Sequence, residues 1–538
     1  MKAPPIVWSI AGTDSGGGAG LSADQRAADA FGVHLCPVVA AVTAQHSQAV
    51  THIEPMSPAL IDAQLQALAE DMPPRVIKTG LLGGAEQVRV VARWVDRMRL
   101  RAPVALVVDP VLAASTGSRF ADEATLQAYR DALLPRATFI TPNRREAARL
   151  LGLSAQDQAA IDPAAIPALA RALLETGGQA ACITGGDSAD AGGLVLDWLS
   201  SAQAEGWLAL PRVATANHHG TGCTFASSVA AALALGFVPA DAAVLAKMAT
   251  THALRHARAA GRGAGPVQAC TGFAAEPTLL PWLSWGEAPE FAAPRPAAQR
   301  RLDLYAIVES AERVLQVLAA GVRTVQLRIK TPDQPNAAWQ AELTHAVRRS
   351  VAACNAAGAE LFVNDHWELA HALGASGVHQ GQEDLLALGE PGRQALQASG
   401  MALGISSHSL WELCRARSLS PRYVACGPVW PTLTKAMPWR PQGTHNLSWW
   451  RHMAQVPVVA IGGILAPAQV RAAAACGIDG VCIVRALGPE PAQTVPAFLQ
   501  ALDSGRAHTA GCAELPAWPR PALDSAWANG SAGTEAEG

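Results

Sequence analysis

Between residues 301 and 503 the chain repeats one pattern eight times: a short apolar run, then an alanine-rich stretch suited to helix. The runs are LDLYAIV (302–308), TVQLRIK (324–330), ELFVND (360–365), GVHQG (377–381), MALGISS (401–407), RYVACGPV (422–429), PVVAIGG (457–463) and GVCIVRA (480–486). Consecutive parallel strands need a crossover, usually a helix, and eight such units in about 200 residues suit a closed (β/α)8 barrel better than an open sheet. Active sites of that fold collect at the carboxyl ends of the strands. Polar side chains recur at those ends here, and a barrel that was only structural would not need them.

Their types define a chemistry. Asp365 and Asp384 are hard oxygen ligands that could face one Mg2+. Gln326, Arg328 and Lys330 alternate along a run, which predicts one shared face with two cations for a diphosphate. The loop PVWPTLTKAMP offers Thr432, Thr434 and Lys435 to a second anionic group. Gly463 and the end of the eighth run, Val484-Arg485, fall where barrels bind phosphate through backbone N–H groups. Any one of these is an ordinary solvated rim residue. The whole set points to joining a diphosphate ester to a phosphate-bearing nucleophile.

Residues 1 to 272 also alternate β-rich runs with helical stretches. The runs IVWSIAG (6–12), PVVAAVT (37–43), RVIKTGLL (75–82), ALVVDPVL (105–112), TFITPN (138–143), AACITGG (180–186) and GLVLDWL (193–199) predict a parallel sheet covered on both faces. Ligands of such sheets bind at the carboxyl ends of the strands. Gly12, Gln45, Asp109, Asn143, Gly185 and Gly186 fall there, together with HHGTGCTFASSVAAALALG (218–236). In that stretch Gly220 and Gly222 allow close backbone approach, and the helix expected from about Thr224 aims its positive end at the same spot. Such a turn suits a transferring phosphoryl group, with Cys223 at the junction. Asp24 reads either as a helix-start charge or as a hydrogen-bond partner of a substrate amine. Glu146 is either a first-turn acid or, with Asp109, half of a carboxylate pair for a magnesium nucleotide. The glycines of AGTDSGGGAG (11–20) read as a phosphate cradle or a flexible lid.

In order, AGTDSGGGAG, VTAQ, KTGLL, VVDPVL, TPNRREA and HGTGCT make the first half resemble hydroxymethylpyrimidine/phosphomethylpyrimidine kinase, a branch of the ribokinase-like fold. The resemblance implies a ribokinase-like α/β/α layered domain that uses ATP. It implies pyrimidine contacts at Gly12, Asp24 and Gln45, and a catalytic base at Cys223 whose thiol is acidified by the helix N-terminus. Where that family commonly carries lysine-glycine-glycine, this chain has Thr184-Gly185-Gly186. The second half resembles thiamine-phosphate synthase through QLRIK, FVNDHWELA, GVHQGQEDL, LGISSH, GPVWPTLTK, PQG and AIGGI. That implies a TIM barrel in which Gln326, Arg328, Lys330, Asn364, Ser406 and Lys435 meet the pyrimidine diphosphate and Asp365 and Asp384 hold Mg2+. It implies further that Thr432, Thr434, Gly463, Val484 and Arg485 meet a thiazole phosphate. Many relatives end the eighth strand with valine-serine. Arg485 therefore either binds phosphate by its guanidinium or points outward.

The two implied activities are successive: the first makes the diphosphate that the second consumes. Rival readings give the first half another substrate, such as pyridoxal or a sugar, or make it a pyrimidine sensor, impaired or limited to a single phosphorylation. Residues 273–300 read as a Pro/Ala-rich linker and 504–538 as a disordered tail. A net charge of −3 argues against nucleic-acid partners, and no apolar run is long enough to span a bilayer. The N-terminus lacks the features of a signal peptide and the ten cysteines lack regular spacing, so a cytoplasmic protein with reduced thiols is expected. Its partners are expected to be small molecules, and a homo-oligomer remains possible.

Overall fold

The computed structural model describes residues 3–113, 120–154, 162–186, 192–292, 301–432, 438–508 and 515–525. Thr434 and Lys435 lie outside the described residues. The chain divides into two compact units, with the boundary between Pro289 and Glu290.

The first unit is built on one ten-stranded sheet. Its strands are β1 (Ile6–Asp14), β2 (His34–His46), β3 (Ala49–Pro55), β4 (Val76–Thr79), β5 (Ala105–Val108), β6 (Phe139–Ile140), β7 (Ala181–Ile183), β8 (Leu194–Ser200), β9 (Glu205–Pro211) and β10 (Trp282–Leu283). The order is β10-β9-β8-β7-β6-β5-β4-β1-β2-β3. From β7 to β2 all neighbours are parallel, as their continuous apolar runs require. The edges differ from the expected all-parallel sheet. β3 forms an antiparallel hairpin with β2, and β8, β9 and β10 add antiparallel pairs on the other side. β3 escapes a search for apolar runs because AVTHIEP is largely exposed. β10 falls inside the expected linker. There the Ser284 hydroxyl accepts from the Trp207 N–H at 2.8 Å, so the segment up to residue 289 belongs to the folded unit.

The second unit is a closed eight-stranded parallel barrel. Its strands are β11 (Asp303–Val308), β12 (Thr324–Leu327), β13 (Glu360–Asn364), β14 (Gly377–Gln380), β15 (Ala402–Ser407), β16 (Tyr423–Cys426), β17 (Val458–Ala460) and β18 (Gly480–Ile483). Each corresponds to one expected run. Helices start where short polar side chains cap them: Ser310 accepts from Arg313 N–H at 3.2 Å and Asn336 from Trp339 N–H at 2.9 Å. Aromatic rings fill the barrel, with Tyr305, Phe362 and Tyr423 all fully buried. Glycine makes room for them. A Cβ on Gly404 would lie 2.2 Å from the Tyr423 ring, and one on Gly377 would lie 2.6 Å from Phe362.

The expected disordered tail is corrected in part. Residues to His508 complete the last barrel helix, Pro491–His508, and a later stretch docks on the helix Gly443–Met453. Asn446 clasps Arg520 both ways, accepting its N–H at 2.7 Å and donating to its carbonyl at 3.0 Å. His445 Nε2 donates to the Trp518 carbonyl at 2.7 Å. Because Asn446 is buried, Asn446→Ala leaves Arg520 and Gln442 groups without their partner. A loss of about 1–3 kcal/mol in barrel stability is expected, read as a lower urea midpoint for that unit.

Candidate active sites

In the first unit, a cleft of about 1000 Å3 opens at the carboxyl ends of β1, β2, β4, β5, β6 and β7. The expected residues Gly12, Gln45, Asp109, Asn143, Glu146 and Gly186 line it, together with Gly220, Gly222 and Cys223. Asp24 and Gly185 do not.

The anion turn forms as its sequence suggests. Gly220 caps the helix Thr221–Ala234 with φ of 86°, and a Cβ there would lie 2.2 Å from the Gly18 carbonyl oxygen. Gly222 has open space where a Cβ would stand. The first-turn N–H groups of a helix lack intrahelical acceptors, so this end presents donors to an anion. The expectation for Cys223 is overturned in one respect. Burial pushes its thiol up to about 12; the Lys78 ammonium and a Gly20 N–H oppose that, while Asp109 and Asp24 add to it. Desolvation therefore outweighs the helix terminus, and the free enzyme carries a protonated thiol at neutral pH.

Asp24 is corrected as a substrate contact. Its carboxylate is fully buried beneath the cleft. It accepts from Ser9 Oγ at 2.6 Å, Ser227 Oγ at 2.7 Å and Lys78 Nζ at 2.9 Å. Lys78 also lies 3.7 Å from Asp109. Burial raises Asp109 to about 6, with Lys78 opposing and Asp24 adding. Asp109 Oδ2 is buried and accepts no hydrogen bond among the described residues, an atom suited to a bound cation.

The glycine loop after β1 serves an internal anion. The N–H groups of Gly16, Gly18 and Ala19 donate to the Asp14 carboxylate at 2.8, 3.0 and 2.8 Å. His219 Nε2 lies 3.0 Å from the same carboxylate and 3.1 Å from Gln45 Nε2. Burial opposes ionisation of Asp14, yet His219 and the N–H groups of Ala19 and Gly16 hold it below the usual carboxylate range. Asn143 and Glu146 form a capping box: Asn143 Oδ1 accepts the Glu146 N–H, and Glu146 Oε2 accepts the Asn143 N–H, both at 2.9 Å. Glu146 is thus a first-turn acid that also lines the cleft. Gly185 is positional, since its N–H donates to Asp197 Oδ1 at 2.8 Å and a Cβ would meet the Leu196 carbonyl oxygen. Two cations stand beside this loop: Lys247, 2.8 Å from Asp197 Oδ2, and Arg212, whose Nη1 donates to the Gly186 carbonyl at 3.3 Å.

Lys78, His219 and Lys247 are cleft residues to which no motif in the sequence assigns a role. The first and last carried a signal: a lone charge inside an apolar strand or helix must find a partner. His219 carried none.

At the barrel rim the expected face of three alternating residues is corrected. β12 ends at Leu327, so only Gln326 lies in the strand, buried, while Arg328 and Lys330 follow in an exposed loop. Asp365 stands just past β13 in a left-handed conformation, φ 67°. Desolvation and the neighbouring Asp384 carboxylate raise it above the usual range, against His366, Arg328 and a hydrogen bond from Asn364. Asp384 Oδ2 accepts the Gly381 N–H at 3.0 Å. Gly463, at φ 71°, packs where a Cβ would lie 2.5 Å from the Trp430 carbonyl oxygen, bringing its backbone against the loop that holds Thr432. Val484 and Arg485 are exposed at the end of β18.

Ser406 is held from inside the barrel. His379 Nε2 lies 2.9 Å from Ser406 Oγ, and His379 Nδ1 lies 2.8 Å from Tyr423 Oη, itself 2.7 Å from Tyr305 Oη. Burial, with the Arg328 and His408 charges, lowers His379 to about 4 from 6.5. A depressed histidine favours folding when neutral, so its contribution is complete above 6.5 and lost as pH falls through 4. The barrel is expected to lose about 3 kcal/mol from this group over that window. Urea unfolding at stepped pH checks it, with a His379→Gln barrel losing less over the same window.

A mixed sheet with an open helix N-terminus in its cleft and a closed barrel with a carboxylate pair at its rim make this a two-domain protein. Residues 14–268 match the family model for phosphomethylpyrimidine kinase, and residues 304–487 match that for thiamine monophosphate synthase. A probable chloroplastic thiamine biosynthetic bifunctional enzyme of Oryza sativa is 33% identical over 90% of this chain and 86% of its own length. A second such chloroplastic enzyme, of Arabidopsis thaliana, is 31% identical over 90% of each chain. The hydroxymethylpyrimidine/phosphomethylpyrimidine kinase of Synechococcus elongatus is 42% identical over 49% of this chain and 97% of its own. The chain belongs to the family of bifunctional thiamine biosynthetic enzymes, with a kinase domain followed by a thiamine-phosphate synthase domain. Among the described residues no helix is long and apolar enough to cross a membrane.

Proposed function

We propose that the first unit uses ATP to phosphorylate 4-amino-5-hydroxymethyl-2-methylpyrimidine and then its phosphate, giving the diphosphate. The barrel then joins that diphosphate to 4-methyl-5-(2-phosphoethyl)thiazole, yielding thiamine phosphate and free diphosphate. The observation that carries the kinase half is one cleft holding both the open anion turn at Gly220–Cys223 and the buried Oδ2 of Asp109, which faces Lys78 Nζ at 3.7 Å and accepts no hydrogen bond among the described residues. Asp109 and Glu146 would hold Mg2+ in the cleft, and Asp365 and Asp384 would hold it at the barrel rim. The ion neutralises charge on phosphate oxygens.

In the cleft, Gln45 and the backbone of Gly12 orient the pyrimidine, with Ser15 Oγ accepting the Gln45 backbone N–H. The N–H groups of the turn receive the transferring phosphoryl group, and Cys223, once its thiol has released its own proton to solvent, takes the proton of the attacking hydroxyl as a thiolate. In the barrel, Arg328, Lys330 and Lys435 stabilise the departing diphosphate. Asn364 and Ser406 position the pyrimidine diphosphate, while Gln326, buried at its strand, shapes the floor beneath it. Thr432, Thr434, Gly463, Val484 and Arg485 receive the thiazole phosphate.

Supplying the purified chain with hydroxymethylpyrimidine, ATP, Mg2+ and the thiazole phosphate is expected to produce thiamine phosphate. Product that forms only from ready-made pyrimidine diphosphate would overturn the kinase reading and leave the synthase reading intact.

A further inference from the structure

The kinase-unit helix Pro239–Arg255 carries, at its C-terminal end, a side-chain cluster that the cleft chemistry does not use. His252 is buried in the last turn, His256 is exposed at the C-cap, and their ring centroids lie 4.2 Å apart. Cys270, at the far end of the following loop, brings Sγ to 3.6 Å from His252 Nδ1. His256 Nδ1 lies 2.9 Å from the His252 carbonyl oxygen. A carbonyl only accepts, so Nδ1 carries the proton and Nε2 keeps its lone pair, the arrangement by which backbone groups orient histidine ligands. One nitrogen from each histidine and the Cys270 sulfur all lie within 4.8 Å of one another, the one such trio among the described residues.

We propose that His252, His256 and Cys270 bind a divalent transition-metal ion of the zinc class, which clips together the ends of the loop 257–269. Two imidazoles and a thiolate are the donor set that zinc prefers over the oxygen-seeking Mg2+. Zinc–nitrogen and zinc–sulfur bonds at tetrahedral angles put N and S about 3.5 Å apart. The Cys270–His252 separation of 3.6 Å already matches. One His256 nitrogen already stands within 4.8 Å of both other donors.

The loop so clipped braces two walls of the cleft. Gly263 N–H donates to Ser47 Oγ at 3.0 Å, at the tip of the hairpin that carries Gln45. His219 N–H donates to the Gly265 carbonyl at 3.1 Å, and Val267 N–H donates to the His219 carbonyl at 3.0 Å. Gly265 N–H donates to Asn217 Oδ1 at 3.0 Å, just ahead of the anion turn. An ion that binds this folded loop more tightly than the unfolded chain stabilises it by linkage.

Chelator-treated full-length protein titrated with Co2+ alone tests the clip. The expected result is a thiolate-to-cobalt band in the near ultraviolet with tetrahedral visible bands, displaced by Zn2+. Cys270→Ser removes the near-ultraviolet band. His256→Ala, at an exposed position that leaves the fold undisturbed, weakens Co2+ binding by roughly tenfold or more. Zn2+ raises the thermal midpoint of the kinase unit in the parent protein and not in Cys270→Ser. A cobalt spectrum unchanged by both substitutions, or no spectrum at all, overturns the proposal and leaves a thiol–imidazole hydrogen bond in its place.

Discussion

Cys223→Ala is expected to lower kinase turnover by roughly 10²- to 10⁴-fold while the synthase turnover of the same chain is unchanged. The sulfur stands in the first turn of the helix Thr221–Ala234, at the wall of the cleft. Its environment gives the rate a pH signature. Burial raises the thiol to about 12, so at neutral pH only a small fraction is thiolate. A base that must first lose its proton becomes more abundant about tenfold per pH unit below its own value. The kinase kcat/KM is therefore expected to climb through the neutral and alkaline range, and the Cys223→Ala profile to be flat. Serine restores bulk without an accessible anion and is not expected to rescue the rate. If alanine costs less than about threefold and the slope persists, the base reading fails, and the N–H groups of the turn carry the transfer without it.

Much of this architecture was legible because burial writes itself into composition. Strands covered on both faces must be apolar throughout, and the six parallel strands from β7 to β2, with all eight barrel strands, were found as such runs. β3 was not, since an exposed antiparallel edge needs no apolar run. β9 and β10 extend the opposite edge as further antiparallel strands, one of them a two-residue strand inside a proline-rich segment. Site residues divide along a similar line. Backbone devices were readable, because a Gly220 with positive φ and an open Gly222 leave glycine as their sequence trace. Side-chain partnerships were not. Nothing near Asp24 in the chain announces Lys78, 54 residues away, or Ser227, 203 residues away. Alternation predicts a strand through Arg328 and Lys330 because it carries no information about where a strand stops, here Leu327. Asn446 and Arg520 likewise meet across 74 residues, which is why the tail read as disordered.

At the barrel rim, Asp365→Asn is expected to lower synthase kcat/KM by roughly 10³-fold, with kinase turnover unchanged. The exchange isolates charge from shape. Asp365 sits at φ 67°, a conformation that asparagine tolerates as well as aspartate does. Its backbone ties also survive, with the N–H donating to the His379 carbonyl at 3.1 Å and the carbonyl accepting from Gln380 Nε2 at 2.8 Å. Only the carboxylate is lost, and it is held above its usual range by desolvation and by Asp384. A raised carboxylate is one the fold prefers protonated. Its favourable contribution is present at low pH and disappears as pH rises from the ordinary carboxylate value through the raised one. At neutral pH the ionised pair therefore costs stability, and a divalent cation between the two would relieve it. Two measurements follow from that sign. Without Mg2+ the Asp365→Asn barrel should unfold no earlier than the parent. With Mg2+ the parent midpoint should rise and the variant midpoint should stay in place. A variant that is stabilised by Mg2+ as much as the parent would remove Asp365 from the metal site and leave its rim position to electrostatics alone.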